Sequence, residues 1–150
     1  MNQEDSQAAL SAVELASRIA EGSLRSVELV EHCLERIRAT DETVQAWAHL
    51  DPDYALQQAR ERDEFRGKGL PLGPLHGVPV GLKDIIDTAD MPTENGTPLD
   101  AGRKPHRAAT LVARLRAVWA LGADGASPGP VAALERGEPR DRVEPLVAHQ

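Results

Sequence analysis

The first third of the chain repeats apolar and polar residues with the period of an α-helix, in two separate stretches. Ser11, followed three residues later by Glu14, is a capping-box pattern and predicts a helix that ends at Glu21-Gly22. A second helix is predicted to begin at Ser26. Its apolar face carries Leu29, Val30, Cys33, Leu34 and Ile37. Cys33 on that face is typical of a buried, inert thiol.

The next stretch predicts a short strand and a third helix. Thr43 to Leu50 contains Val44, Trp47 and Leu50 and favours a strand. Asp51-Pro52 then supplies an N-cap and a first-turn proline for the third helix. The charges of residues 60–64 in that helix are mixed in sign, which indicates a solvated face.

The rest of the chain shows one short strand, one helix and a proline-rich end. Gly67 to Gly77 is a loop rich in glycine and proline, and Val78 to Leu82 predicts a short buried strand. A further helix places Leu111, Val112, Leu115, Val118 and Trp119 on one stripe. Residues 122–150 combine prolines with alternating charges and predict a mobile tail, with at most one short helix from Pro130 to Glu135.

Composition limits the classes of function. A chain of 150 residues with 41% hydrophobic residues is long enough for one domain with a core of its own. Its net charge of -7 and its 3% aromatic content argue against a direct nucleic-acid site, which needs basic patches or stacking platforms.

The same composition predicts a cytoplasmic protein. Cys33 is the single cysteine, so no intrachain disulfide forms, and the first five residues lack the basic-then-apolar order of a signal peptide. No apolar stretch approaches the roughly 20 residues that span a bilayer. We therefore predict no membrane association.

No cofactor or metal is predicted either. The loop before the second strand lacks the glycine-lysine-serine ending of a phosphate loop. The five histidines do not show the short ligand spacing of a zinc site. They are His32, His49, His76, His106 and His149. His76 is interpreted as a structural loop residue.

Lys83, at the end of the predicted second strand, has two interpretations. Beside Asp84 it is most simply one half of an exposed ion pair, which contributes little to stability. If apolar neighbours desolvate the amine, its pKa falls and a neutral lysine becomes a general base near neutral pH. Those neighbours would be Val80, Leu82, Ile85 and Ile86.

The whole run around this lysine favours the second interpretation. This run extends from Gly73 to Pro98 and contains Pro74-Leu75-His76-Gly77-Val78-Pro79-Val80-Gly81-Leu82-Lys83-Asp84. It closely resembles the catalytic-lysine segment of the amidase signature family of serine amide hydrolases. The resemblance extends over residues 1–117, through Trp47-Ala48-His49 and on to Ala109 to Leu115. The resemblance implies an α/β fold. Residues 1–121 are expected to form the helix-rich N-terminal part of an α/β/α sandwich with a mixed central sheet.

The resemblance also implies a reaction. In that family a serine attacks the amide carbonyl, a second serine preceded by a cis peptide relays its proton, and a lysine is the ultimate base. By position, Lys83 is that catalytic lysine, and the bond broken is the C–N bond of a carboxylic amide. Asp84 and Asp87 are interpreted as solvated or turn-stabilising carboxylates and are left out of the site.

The implied partners are a small-molecule amide substrate, a second copy of the chain, or subunits like those of amidotransferases. Similar family members are bacterial amidases and the amidase subunit of the aminoacyl-tRNA amidotransferase. The resemblance does not separate them.

Beyond residue 117 the sequence departs from the family pattern, and neither catalytic serine is recognisable. Ala120 to Ser127 faintly resembles the family's nucleophile loop but lacks its paired glycines, so Ser127 is interpreted as an ordinary loop serine. Two alternatives to an amidase therefore stay open: a truncated, inactive fragment, and a non-catalytic helical interaction module.

Overall fold

The computed structural model describes residues 10–119 and 131–135. The helices in this part are α1 (Ala12–Glu21), α2 (Ser26–Val44), α3 (Pro52–Gly67) and α4 (Thr110–Trp119), with a short 3-10 helix at Pro98–Asp100. The strands are β1 (Trp47–Leu50), β2 (Val80–Lys83) and β3 (Val131–Glu135). In these ranges no helix is both long and apolar enough to cross a membrane.

Helix α1 has the ends that its sequence predicts. The Glu14 N–H donates to Ser11 Oγ at 3.3 Å, and the Ser11 N–H donates to Glu14 Oε2 at 2.8 Å. Gly22 ends the helix in the left-handed conformation, with φ of 80°, which a residue without a side chain adopts at low cost. The predicted capping box is therefore confirmed.

Helix α2 is capped from a distance by α3. Both oxygens of Asp63 accept from the first turn of α2: the Ser26 N–H at 2.8 Å and the Val27 N–H at 3.1 Å. A carboxylate at this position also complements the positive end of the helix dipole. The neighbouring Arg62 is only 2% exposed. Arg60 and Glu64 are exposed, as predicted, whereas Arg62 is buried and Asp63 is half-buried, so the prediction of a solvated face was wrong for these two residues.

The junction between α2 and β1 lies later than the sequence suggested. Thr43 and Val44 favour a strand by residue type, yet both belong to α2. Gln45, with φ of 52°, ends the helix, and Asp41 Oδ1 then accepts from the Ala46 N–H at 2.6 Å. The helix continues until this local cap is reached, so the strand contains only Trp47 to Leu50.

The three strands form one mixed sheet with the order β1-β3-β2. Strand β3 runs antiparallel to β1 and parallel to β2, so the last strand in the sequence is the central one. The helix predicted from Pro130 to Glu135 was wrong. A short apolar run does not distinguish helix from strand by itself, and here hydrogen bonding to two neighbours decides it. The rest of the 122–150 segment lies outside the described residues, and its boundary and mobility stay predictions.

Among residues 10–119 and 131–135, three clusters of apolar residues form the core. One joins α1, α2 and Val78, and another joins α2 to α3 through Val30, Leu34, Ala55 and Ala59. The third joins Leu82 of β2 to Met91 and to Val112 of α4. Leu111, predicted on the same stripe as Val112, is 52% exposed. The side chains of residues 118 and 119, also on that stripe, lie outside the described part.

Candidate active site

Strand β2 presents Lys83 at its carboxyl end. Pairing starts at Val80 and not at Val78, because the preceding Pro79 has no N–H for the ladder. Leu82 is 4% exposed and packs under α4. Successive side chains of a strand point to opposite faces, so Lys83 lies on the face away from α4. Its side chain is exposed.

The apolar neighbours do not enclose this amine within the described residues. Val80 and Ile86 pack against the Leu82 cluster, and Ile85 is 58% exposed. The sequence suggested that these residues desolvate Lys83, whereas strand alternation directs Leu82 to the other face. Desolvation of the amine would therefore need groups other than these.

Trp47 lies on the same face of the sheet as Lys83. Both are in register with Glu135 of β3, one from each side. The Trp47 ring crosses to β2, since a Cβ built on Gly81 would lie only 2.8 Å from its Cη2 atom. Gly81 therefore leaves the room that the indole occupies. The ring forms one wall of an open apolar groove of about 470 Å³ between the sheet and α2.

A tight turn follows Lys83. The Ile86 N–H donates to the Lys83 carbonyl oxygen at 2.9 Å, which reverses the chain directly after the strand. Asp84, inside this turn, is 3% exposed. Its Oδ1 accepts from the Glu94 N–H at 2.8 Å and its Oδ2 from the Gly96 N–H at 3.4 Å. The carboxylate is thus loop-stabilising, and the solvated alternative was wrong.

Asp87 holds the other end of the same loop. Its two oxygens accept from Arg103 Nη1 at 2.6 Å and Nη2 at 2.9 Å, a bidentate pair. The hydrogen bonds from Arg103 lower the pKa of the Asp87 carboxyl. The Asp87 carbonyl also accepts from the Ala109 N–H at 2.8 Å, just before α4. Asp84 and Asp87 together tie residues 84–103 into a closed loop.

Beside this loop is a shallow cleft of about 560 Å³. It is lined by Ile85, Ile86, Asp87, Asn95, Arg103, Arg107, Ala108, Ala109 and Leu111. No three histidine, cysteine or acidic side chains come together as a metal site in ranges 10–119 and 131–135. His76 is 1% exposed, with Nε2 2.9 Å from the Arg62 carbonyl oxygen, in agreement with a structural role.

The sequence model of the amidase family, described as "Amidase", matches residues 28–122. The chain belongs to the amidase family. This confirms the resemblance drawn from the lysine segment, and the matched range contains Lys83, Asp84 and Asp87.

Curated relatives are similar over the same region. A glutamyl-tRNA(Gln) amidotransferase subunit of Chloroflexus aurantiacus is 47% identical over 103 residues, which cover 69% of this chain and 21% of the relative. The corresponding subunit from Streptomyces coelicolor is 47% identical over 108 residues, covering 72% and 22%. The chain therefore spans about a fifth of the length of these relatives.

Solved amidase structures share the fold. The peptide amidase of Stenotrophomonas maltophilia superposes with a TM-score of 0.73 at 37% identity, covering 85% of this chain and 25% of that one. A fatty acid amide hydrolase gives 0.75 at 26% identity, covering 90% and 22%. The predicted α/β fold, as a helix-rich N-terminal part of the amidase fold, is confirmed.

Reasoning from the sequence missed the partners of Asp84. Ten to twelve residues separate the carboxylate from the N–H groups of Glu94 and Gly96, so no local pattern connects them. One signal was available: Asn95-Gly96 is a dipeptide typical of turns with positive φ, and these residues have φ of 55° and 65°.

Proposed function

We propose that this chain supplies the lysine base of an amide-hydrolysing site, and that Lys83 is that base. The observation that carries the proposal is the placement of Lys83. It lies at the carboxyl end of β2, on the sheet face away from α4, in a segment that matches the amidase family. The turn after Lys83 and the tethers of Asp84 fix the backbone beside it.

The proposed reaction is a Ser-cisSer-Lys mechanism. The nucleophilic serine adds to the amide carbon while its proton passes to the relay serine, whose own proton passes to neutral Lys83. Collapse of the tetrahedral intermediate breaks the C–N bond, and the nitrogen leaves with a proton as ammonia or amine. Water then hydrolyses the acyl-serine. Neither serine is assigned, and Ser127 lies outside the described residues.

Replacement of Lys83 tests the proposal. We expect Lys83→Ala to reduce hydrolysis of a primary amide by roughly 10²- to 10⁴-fold, the usual contribution of a general base. The probes are an amidated peptide and a long-chain fatty acid amide, with ammonia release as the measurement. Lys68→Ala and Lys104→Ala are matched controls, because these two exposed residues are the only other lysines of the chain.

Full activity of Lys83→Ala would remove this residue from the mechanism. Absence of ammonia release from the wild-type chain itself would instead contradict amide hydrolysis by this chain and favour the non-catalytic interaction module described below.

The substrate and partners are also proposals. The named relatives are a peptide amidase, a fatty acid amide hydrolase and amidotransferase subunits. We propose a small-molecule carboxylic amide as substrate, and association with a second copy or with amidotransferase-like subunits. A cytoplasmic location stays a prediction, which cell fractionation would test.

A non-catalytic interaction module is the second candidate. Exposed apolar side chains favour it: Leu99 is 95% exposed, Ile85 58% and Leu111 52%. Apolar surface of this kind is typical of protein contacts when it is contiguous. Light scattering coupled to gel filtration gives the molar mass of the protein, and ammonia release gives its activity. A monomer with amide-hydrolase activity would contradict this candidate.

A further inference from the structure

We infer that Asp84 is a positioning residue for Lys83, one that holds the base by binding the loop formed by residues 94–96. The inference rests on the proposed function of Lys83. It begins from a buried carboxylate whose hydrogen bonds reach well beyond its own turn.

Peptide N–H groups offset the energetic cost of burying the Asp84 carboxylate. Its side chain is 3% exposed, and no ion pair with Asp84 is present among the described residues. A buried carboxylate without a cation is costly unless hydrogen bonds satisfy it. Here peptide N–H groups provide them, one to each oxygen, from Glu94 and Gly96.

The loop is shaped to receive this carboxylate. Asn95 and Gly96 both have positive φ, 55° and 65°. Successive N–H groups in such turns form a concavity that binds anions. The Asn95 N–H completes the set by donating to the Asp84 backbone carbonyl at 2.9 Å. Three consecutive N–H groups of the loop are thus bonded to one residue.

These bonds constrain the residue before Asp84. The Lys83 carbonyl accepts from Ile86, and the Asp84 carbonyl accepts from Asn95, so the peptide groups on both sides of Asp84 are held. Before Lys83, the β2–β3 ladder fixes the backbone. The Lys83 Cα therefore lies between two restrained segments, and the loop is the restraint that depends on Asp84.

The chemistry requires an acid at this position. Both carboxylate oxygens act as acceptors, whereas asparagine offers one acceptor and turns an NH₂ group towards the second N–H. Asp84→Asn is nearly the same size and removes one of the two acceptors. Asp87→Asn is the matched control, because Asp87 lies in the same loop but its side chain binds Arg103.

Amide hydrogen exchange gives the first test and requires no turnover. We expect Asp84→Asn to reduce protection of the Glu94 and Gly96 amides by roughly tenfold or more, the loss typical of a hydrogen bond to a charged group. Asp87→Asn should spare these two amides. Unchanged protection in Asp84→Asn would overturn the inference.

The second test measures Lys83 itself. An amine-selective reagent labels all three lysines, and mass spectrometry gives the rate at Lys83 relative to Lys68 and Lys104 in the same molecule. Asp84→Asn should change this ratio and Asp87→Asn should not, since global destabilisation alters all three sites. A ratio unchanged in Asp84→Asn would overturn the inference.

If Asp84→Asn does not fold, Asp84→Glu replaces it in the amide hydrogen exchange measurement. The added methylene displaces the carboxylate, so we expect protection at Glu94 and Gly96 below that of wild type. Wild-type protection at both amides would overturn the inference.

Kinetics separates this inference from the proposed function. With an amide that the wild-type chain hydrolyses, Asp84→Asn should lower kcat and leave KM nearly unchanged, as expected for a displaced base. An inactive Lys83→Ala with a fully active Asp84→Asn would overturn the positioning role alone. A fully active Lys83→Ala would overturn the proposed function, while the exchange measurement would still decide whether Asp84 holds the loop.

Discussion

At the scale of single residues, several polar side chains act between elements that are distant in sequence. Asp90 is the clearest case: its Oδ2 accepts from Tyr54 Oη and from Arg116 Nη2, each at 2.6 Å. Burial raises the pKa of Asp90, but the hydrogen bonds from Tyr54 and Arg116 outweigh it, and the pKa lies below its usual value. This group links α3, the loop after Lys83 and α4.

The Tyr54–Asp90 hydrogen bond predicts a stability change that depends on pH. Tyr54→Phe should lower the free energy of unfolding by about 1.5 kcal/mol at pH 7, the lower end of the range of roughly 1.5–3 kcal/mol for a bond to a charged group, because the Asp90 side chain keeps 22% of its exposure. Because the folded pKa of Asp90 is lowered, its contribution is present above the unfolded value of about 3.9 and is lost as pH falls through the folded pKa.

Urea unfolding at neutral and acid pH measures this effect. The difference between Tyr54→Phe and wild type should shrink below about pH 4 as Asp90 gains a proton. The double variant with Asp90→Asn is the control, since the two changes should not add. A difference independent of pH would show that the lost hydroxyl acts through packing alone.

At the scale of elements, helix ends are decided both locally and at a distance. Ser11 and Glu14 cap α1 within four residues, whereas α2 begins under Asp63, which is 37 positions from Ser26. A capping box can be predicted from spacing, but a cap from another helix cannot, because it exists only after α2 and α3 have packed.

The distant cap predicts a measurable loss. Asp63→Ala should destabilise the protein by roughly 1–2 kcal/mol, because two N–H groups of α2 lose their acceptor and the helix dipole loses its counter-charge. Thermal unfolding followed by circular dichroism is the measurement. Glu64→Ala, at the next and exposed position of α3, is the control and should remain within about 0.5 kcal/mol of wild type. Equal effects of the two variants would contradict the capping role.

At the scale of the whole molecule, the sheet depends on contacts that cross it. Trp47 of β1 reaches over β3 to Gly81 of β2, on the face that carries Lys83. Glycine at position 81 is therefore required by the packing of a residue 34 positions earlier, and not by its own backbone conformation.

This contact predicts the effect of adding one methyl group. Gly81→Ala should destabilise the protein by about 1–3 kcal/mol, since the new Cβ would overlap the Trp47 ring. The loss should be smaller in a Trp47→Phe background, whose shorter ring leaves that space open. Gly67→Ala is the control, because a Cβ there meets nothing within 4 Å. Chemical unfolding measures all four variants, and an additive double variant would contradict the overlap.

The sequence by itself determined the features that neighbouring residues decide. These are the capping box of α1, the apolar face of α2, the proline start of α3 and the lysine segment by which the family is recognised. Each depends on residue types at short spacing, and short-range hydrogen bonds and helical periodicity follow directly from such spacing.

Only the tertiary structure decided the features that depend on distant partners. It made residues 131–135 the central strand, buried Arg62 and Asp84, and left Lys83 exposed on the face opposite Leu82. The physical reason is that strand pairing and the burial of polar groups are settled by contacts between segments brought together in folding. No local pattern records which segment will supply the partner.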